Sequence, residues 1–185
     1  MRENMERFKL VIIAFALACL PRLGLASPYY GGTFSFVQVA KEPPSLHGYQ
    51  FLLSYDPQCF QWRQFNLYFD GGISHLWITN RPYYTALNIY SLSPVVRYTF
   101  KKRGPISPYL ELSIGLAYLN HTHLDDRNFG MHPAFQDRIG IGFYLGSKQQ
   151  FSLGIHTMHV SNAHLSYYNS GITIPMEIDI GYRYS

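Results

Sequence analysis

His159 and Ser161 lie two residues apart in the run His156-Thr157-Met158-His159-Val160-Ser161-Asn162-Ala163. In an extended chain that spacing brings both side chains out on one face, side by side. A hydroxyl beside an imidazole is the minimum kit for an activated nucleophile, because neutral histidine accepts the serine proton as the oxygen attacks. The preceding residues alternate with a two-residue period. Phe151, Leu153, Ile155, Thr157, His159 and Ser161 share one face, and Ser152, Gly154, His156, Met158 and Val160 share the other. The pair therefore ends the greasy face of a strand, not its polar one. Asn162 and Asn169 follow in a polar run that reaches Gly171. They are candidates for an oxyanion hole or for orienting the base, since an attacked ester develops charge on its carbonyl oxygen.

Something must present that face to an apolar partner. Residues 1 to 26 read as a secretory signal: Arg2, Arg7 and Lys9 precede an apolar run from Leu10 to Leu20, and Gly24-Leu25-Ala26 supplies small residues for cleavage. That run is too short to span a bilayer as a helix. The remaining domain, residues 27 to 185, keeps eleven Lys and Arg against nine Asp and Glu, a charge of +2 that does not argue for nucleic acid. It keeps one cysteine, Cys59, so no intrachain disulfide is expected. With 16 Tyr, 13 Phe and 2 Trp in the chain and no long apolar helix, the profile is that of a transmembrane β-barrel of the outer membrane.

Eight strands of antiparallel barrel length are predicted, near 32–40, 47–56, 63–77, 86–100, 107–119, 133–146, 149–161 and 172–184. In the fifth, Leu110, Leu112, Ile114, Leu116 and Tyr118 alternate with Tyr109, Glu111, Ser113, Gly115 and Ala117. In the sixth, Phe135, Ile139, Ile141, Phe143 and Leu145 alternate with Gln136, Arg138, Gly140 and Gly142. In the eighth, Ile172, Ile174, Met176, Ile178, Ile180, Tyr182 and Tyr184 are expected outward, against Thr173, Glu177, Asp179 and Arg183. Gly71-Gly72 is expected to mark a bulge that changes which parity faces out in the third strand. The connections near 41–46, 78–85, 120–132 and 162–171 are the longer set and belong outside the cell; those near 57–62, 101–106 and 147–148 belong inside. An even strand count lets the sheet close on itself. His159 and Ser161 then sit at the extracellular end of strand seven, facing the outer leaflet. Polar residues are costly there unless they have work to do, and a lipid ester near the headgroup boundary would be that work.

Other polar groups have plainer readings. His156 and His159, three apart, point to opposite faces and cannot share a metal; His156 belongs to the lumen. Glu111, Arg138, Glu177, Asp179 and Arg183 form a polar network inside the barrel. His121, His123, Asp125, Asp126 and His132 in the third outer loop could meet a cation but read as a solvated loop. Lys41, Arg81 and Arg127 could meet lipid phosphates or be ordinary surface charges.

His159-Val160-Ser161-Asn162-Ala163, followed by Asn169-Ser170-Gly171, resembles the carboxy-terminal signature of the lipid A 3-O-deacylase (PagL) family. Phe135-Gln136-Asp137-Arg138-Ile139-Gly140-Ile141-Gly142 and Ser107-Pro108-Tyr109-Leu110-Glu111 are similar to its middle strands. The resemblance implies an eight-stranded outer-membrane barrel that hydrolyses the ester-linked acyl chain at the 3 position of lipid A, with neither metal nor cofactor. It implies Ser161 as nucleophile and His159 as general base. The family places a glutamate two residues after the loop glycine, where this chain has Thr173; Glu177 is four residues further on, and by parity it points inward unless Pro175 introduces a bulge. The implied partner is lipid A or lipopolysaccharide in the outer leaflet, with a homodimer left open and nucleic acid excluded. Two other readings stay open: a non-catalytic barrel that binds lipid or a host surface, and a lipid A acyltransferase.

Overall fold

Alternation of apolar and polar residues along successive strands leaves each strand with one greasy and one mixed face, and closing the sheet gives each face its own environment. The computed structural model describes residues 27–39, 45–79, 83–101 and 104–184; the leader, Lys41 and Arg81 lie outside them. Among the described residues eight long strands are formed: β1 (Tyr29–Val39), β2 (Leu46–Asp56), β3 (Phe65–Ile78), β4 (Ala86–Thr99), β5 (Ile106–Leu119), β6 (Pro133–Leu145), β7 (Phe151–Ser161) and β8 (Ile172–Tyr184). Each pairs antiparallel with its neighbour in sequence, and β8 pairs with β1 to close the barrel. Among the described residues, closure leaves no long sheet edge unpaired.

The outside is a band of Leu53, Leu92, Leu110, Leu112, Ile114, Ile139, Ile141, Leu153, Ile155 and Ile180, all exposed. Aromatic rings border the band at both ends. Tyr30, Tyr182, Tyr184, Phe151, Phe65 and Tyr98 gather at the short-turn end, and Tyr49, Trp77, Tyr90 and Tyr118 at the long-loop end. Such girdles mark the two interfaces of an outer-membrane barrel.

The interior is tiered. At the long-loop end, Leu46, Leu76, Ile78, Leu87, Ile89, Leu119, Met158, Val160, Ile172 and Ile174 pack with Leu124 and Phe129, which the third outer loop folds inward. Below lies a charged belt. His156 Nε2 is 2.5 Å from Glu111 Oε1 and its Nδ1 is 2.7 Å from Asp179 Oδ2. Arg138 donates to Asp179 Oδ2 at 2.8 Å and lies 3.6 Å from Glu177 Oε2. Arg97 joins Glu111, Tyr68 and Tyr144, while Arg183 stacks over the Tyr144 ring near the short turns. Of the lumen network expected, Glu111, Arg138, Glu177 and Asp179 join through His156, whereas Arg183 bonds apart from them to Gln149. Gly140 makes room for the network, because a Cβ there would collide with the His156 ring.

Two expectations about parity are corrected. Gly71-Gly72 is no bulge: β3 keeps continuous register with both β2 and β4, and its even-numbered residues face inward throughout. Glycine is required at 72 for another reason, since a Cβ would run into the backbone of Phe51 and Leu52. The bulge lies instead in β8. Met158 pairs with Ile174 but His156 pairs with Glu177, so Pro175 and Met176 together oppose Thr157. Pro175 brings no N–H to the ladder, and its carbonyl accepts a hydrogen bond from Thr157 Oγ1 at 2.8 Å. The extra residue reverses the faces above it. Ile172 and Ile174 are therefore buried in the barrel and Thr173 is exposed, opposite to strict alternation.

Candidate active site

β7 keeps a single parity along its length, so Phe151, Leu153 and Ile155 are exposed while His156, Met158 and Val160 are buried. His159 and Ser161 continue the outer face and are half-buried. Their height follows from register. Ser161 opposes Phe135 on β6, which opposes Leu116 on β5; His159 opposes Asp137, which opposes Ile114. Leu116 and Ile114 are exposed members of the apolar band, with Tyr118 two residues above. The hydroxyl and the imidazole thus sit just inside the upper edge of that band.

The β8 bulge decides what stands beside the histidine. His159 and Thr173 are directly paired, and His159 Nδ1 lies 2.9 Å from Thr173 Oγ1. When Nδ1 carries the proton it donates to the hydroxyl, and Nε2 is left to accept a proton from a nucleophile. Glu177 takes no part. It is buried on the far side of the barrel wall, beside Arg138.

The loop after β7 is anchored by the two asparagines. Asn162 is fully buried; its Nδ2 donates to Phe129 O and Tyr168 O, both at 2.7 Å. Its backbone N–H donates to Asn169 Oδ1 at 2.9 Å, which fixes the Asn169 amide and leaves Asn169 Nδ2 3.3 Å from His164 Nδ1. The chain between them turns through two left-handed non-glycine residues, Ala163 (φ 51) and His164 (φ 62). Such conformations persist where surrounding contacts impose them, and the Asn162 bonds do so here. Gly171 also has positive φ, +54, and a Cβ on it would lie 3.4 Å from His159 Cε1 and 3.5 Å from Ser161 Cβ. Glycine keeps the space next to both side chains open.

The third outer loop braces this turn. Arg127 Nη1 donates to Ser170 O at 3.0 Å and Gly171 O at 3.1 Å, and Ser170 N–H donates to Asn128 O at 3.0 Å. The His and Asp residues of that loop are spread among other partners: His123 stacks on Tyr84, and His132 Nδ1 lies 2.6 Å from Leu119 O. No three His, Cys, Asp or Glu among the described residues are grouped to hold a metal ion. Nothing in the His-x-Ser spacing points to Asp137, yet its register places it directly opposite His159, on the side away from Thr173. The alternation of buried Gln136 and Arg138 around it was the available signal that it faces out.

Known proteins resemble this chain in sequence and in fold. The sequence profile described as lipid A 3-O-deacylase (PagL) matches residues 49–183. The chain is 39% identical over 82 residues to lipid A deacylase PagL of Pseudomonas aeruginosa, a match spanning 44% of this chain and 46% of that protein. It is 26% identical over 189 residues to lipid A deacylase PagL of Bordetella bronchiseptica, spanning 100% of this chain and 97% of that protein. The crystal structure of the outer membrane enzyme PagL superposes with a TM-score of 0.63 at 25% identity, over 86% of this chain and 99% of that one. Neisserial surface protein A shares the fold, with a TM-score of 0.53 at 14% identity. The chain belongs to the lipid A 3-O-deacylase (PagL) family, ester hydrolases built on an outer-membrane β-barrel.

Proposed function

We propose that this chain removes the ester-linked 3-hydroxyacyl group from the 3 position of lipid A, with Ser161 as nucleophile and His159 as general base. The observation that carries the mechanism is the placement of the pair on the outer face of β7 at the upper edge of the apolar band, with His159 Nδ1 occupied by Thr173. A lipid lying against the barrel brings its acyl chains along that band and its headgroup to the loops. Its ester linkages then fall at the level of Ser161. An enzyme for soluble esters would gain nothing from opening its site onto an apolar surface.

In the first step Ser161 Oγ attacks the acyl carbonyl carbon and its proton passes to His159 Nε2. Collapse of the tetrahedral intermediate breaks the ester bond, and the imidazolium returns the proton to the departing sugar oxygen. Water, deprotonated by His159, then attacks the acyl-serine and releases the fatty acid. Asn169 serves as donor to the carbonyl oxygen: Asn162 N–H holds its Oδ1, and its NH2 group, 3.3 Å from His164 Nδ1, swings to the developing oxyanion when substrate is bound. Asn162 serves by fixing this loop, since its own amide is engaged by two carbonyls. No metal or cofactor enters the scheme.

Mass spectrometry of lipid A from cells with and without the protein tests the reading. Loss of one ester-linked hydroxyacyl chain is expected, abolished by Ser161→Ala and by His159→Asn while both variants keep heat-modifiable migration on gels. Unchanged lipid A would instead identify a non-catalytic barrel, and a gained chain an acyltransferase.

A further inference from the structure

Asp137, His159 and Thr173 form one row across β6, β7 and β8: Asp137 is the direct partner of His159 on one side and Thr173 on the other. We infer that Asp137 is a positioning residue that supplies the negative charge stabilising the His159 imidazolium, while Thr173 supplies only its orientation. The inference rests on Ser161 and His159 acting as nucleophile and base.

Asp137 sits between buried Gln136 and Arg138, so its half-buried side chain belongs to the outer face with His159. Directly opposed residues of an antiparallel pair have Cβ atoms about 5 Å apart, within reach of a strong charge interaction. On its other flank stands Ile114, 59% exposed, and two residues along its own strand stands Ile139, 60% exposed. A carboxylate there has apolar side chains on the flank away from His159, and among the described residues no hydrogen bond or ion pair holds it. Arg138, next in sequence, belongs to the lumen and is committed to Asp179. An ionised carboxylate at such a place is costly without a cation. His159 becomes that cation when it takes the serine proton.

The division of labour follows from the charges. Before attack His159 is neutral and its interaction with Asp137 is weak. At the transition state it is an imidazolium, and the attraction through a poorly polarisable surround is at its strongest. A contact strengthened only at that point raises kcat and leaves substrate binding alone. Thr173, a neutral acceptor for Nδ1–H, selects the tautomer but brings no charge. A single glutamate behind histidine does both tasks in a triad; here they are divided between two neighbouring strands.

The test uses the refolded full-length barrel in detergent, with purified lipid A as substrate. Asp137→Asn should lower kcat about tenfold or more with KM changed less than about twofold, and Asp137→Glu should keep most activity. Adding Thr173→Glu to Asp137→Asn should restore kcat, because the charge returns from the opposite side. An unchanged kcat in Asp137→Asn overturns the inference, as does a drop that Thr173→Glu cannot repair, since that drop would be structural. Phosphonylation of Ser161 by a fluorophosphonate separates the inference from the deacylase reading. There Ser161 Oγ displaces fluoride from phosphorus and its proton goes to His159, without lipid A. If wild type fails on lipid A but labels rapidly, and Asp137→Asn labels slowly, the substrate assignment falls and the charge role stands. If wild type neither hydrolyses nor labels, both fall.

Discussion

The 2.9 Å contact between His159 Nδ1 and Thr173 Oγ1 can be graded by a three-member series at position 173. Thr173→Val keeps the β-branched shape suited to a strand and removes only the oxygen. A neutral hydrogen bond contributes about 1 kcal/mol, so losing it should cut kcat about fivefold as the imidazole loses its fixed tautomer. Thr173→Glu replaces a neutral acceptor by a charged one. Charge-assisted bonds are roughly twice as strong, so about 1 kcal/mol more stabilisation of the imidazolium should raise kcat about fivefold. Position 173 is exposed, so the longer side chain meets no packed neighbour. Initial rates of fatty-acid release from lipid A in mixed micelles give kcat and KM separately, with gel heat-modifiability as the control for folding. The expected order is Val below Thr below Glu, with KM nearly constant. A valine variant as fast as wild type would show that the Thr173 hydroxyl does not hold the base.

Three further outcomes follow from the packing. Gly140→Ala should push the His156 ring out of the charged belt and lower the temperature of heat-modification, a cost of about 1–3 kcal/mol read by unfolding in detergent. Asn162→Ala removes donors to Phe129 O and Tyr168 O, so it should lower activity and make the loop of residues 120–132 cleavable by external protease. Glu177→Gln should leave deacylation within about twofold, because the residue lies inside the barrel, yet lower stability by weakening its pairing with Arg138; a strong loss of activity would return Glu177 to the candidates for the third member.

Much of this was legible from the alternation of residues. β5, β6 and β7 show it so regularly that their faces, and with them the outward aim of His159 and Ser161, follow directly. β8 misleads above Pro175 because one unpaired residue reverses every face beyond it, and a proline alone does not say whether a strand bulges or ends. Gly71-Gly72 misleads in the opposite sense. A glycine pair in a strand signals either a bulge or a close backbone approach, and here the second holds. Asp137 was hidden for a different reason. Its outward face is implied by Gln136 and Arg138, but its position beside His159 depends on how β6 and β7 slide past each other. Register between strands is a property of the assembled sheet, not of either strand's own pattern.

The apolar tier closed by Leu124 and Phe129 has a consequence for the cell that carries the protein. An ion entering from the loop side would have to shed its hydration shell among leucine, isoleucine, methionine and phenylalanine before reaching the first carboxylate. The expected result is an electrically silent barrel: incorporated into a planar bilayer it should add no measurable conductance at moderate voltage, and a clear single-channel step would refute this. Abundance is then decoupled from leakiness. A cell can carry many copies and remodel its surface lipid without opening a route for solutes, whereas a porin of comparable copy number sets permeability directly.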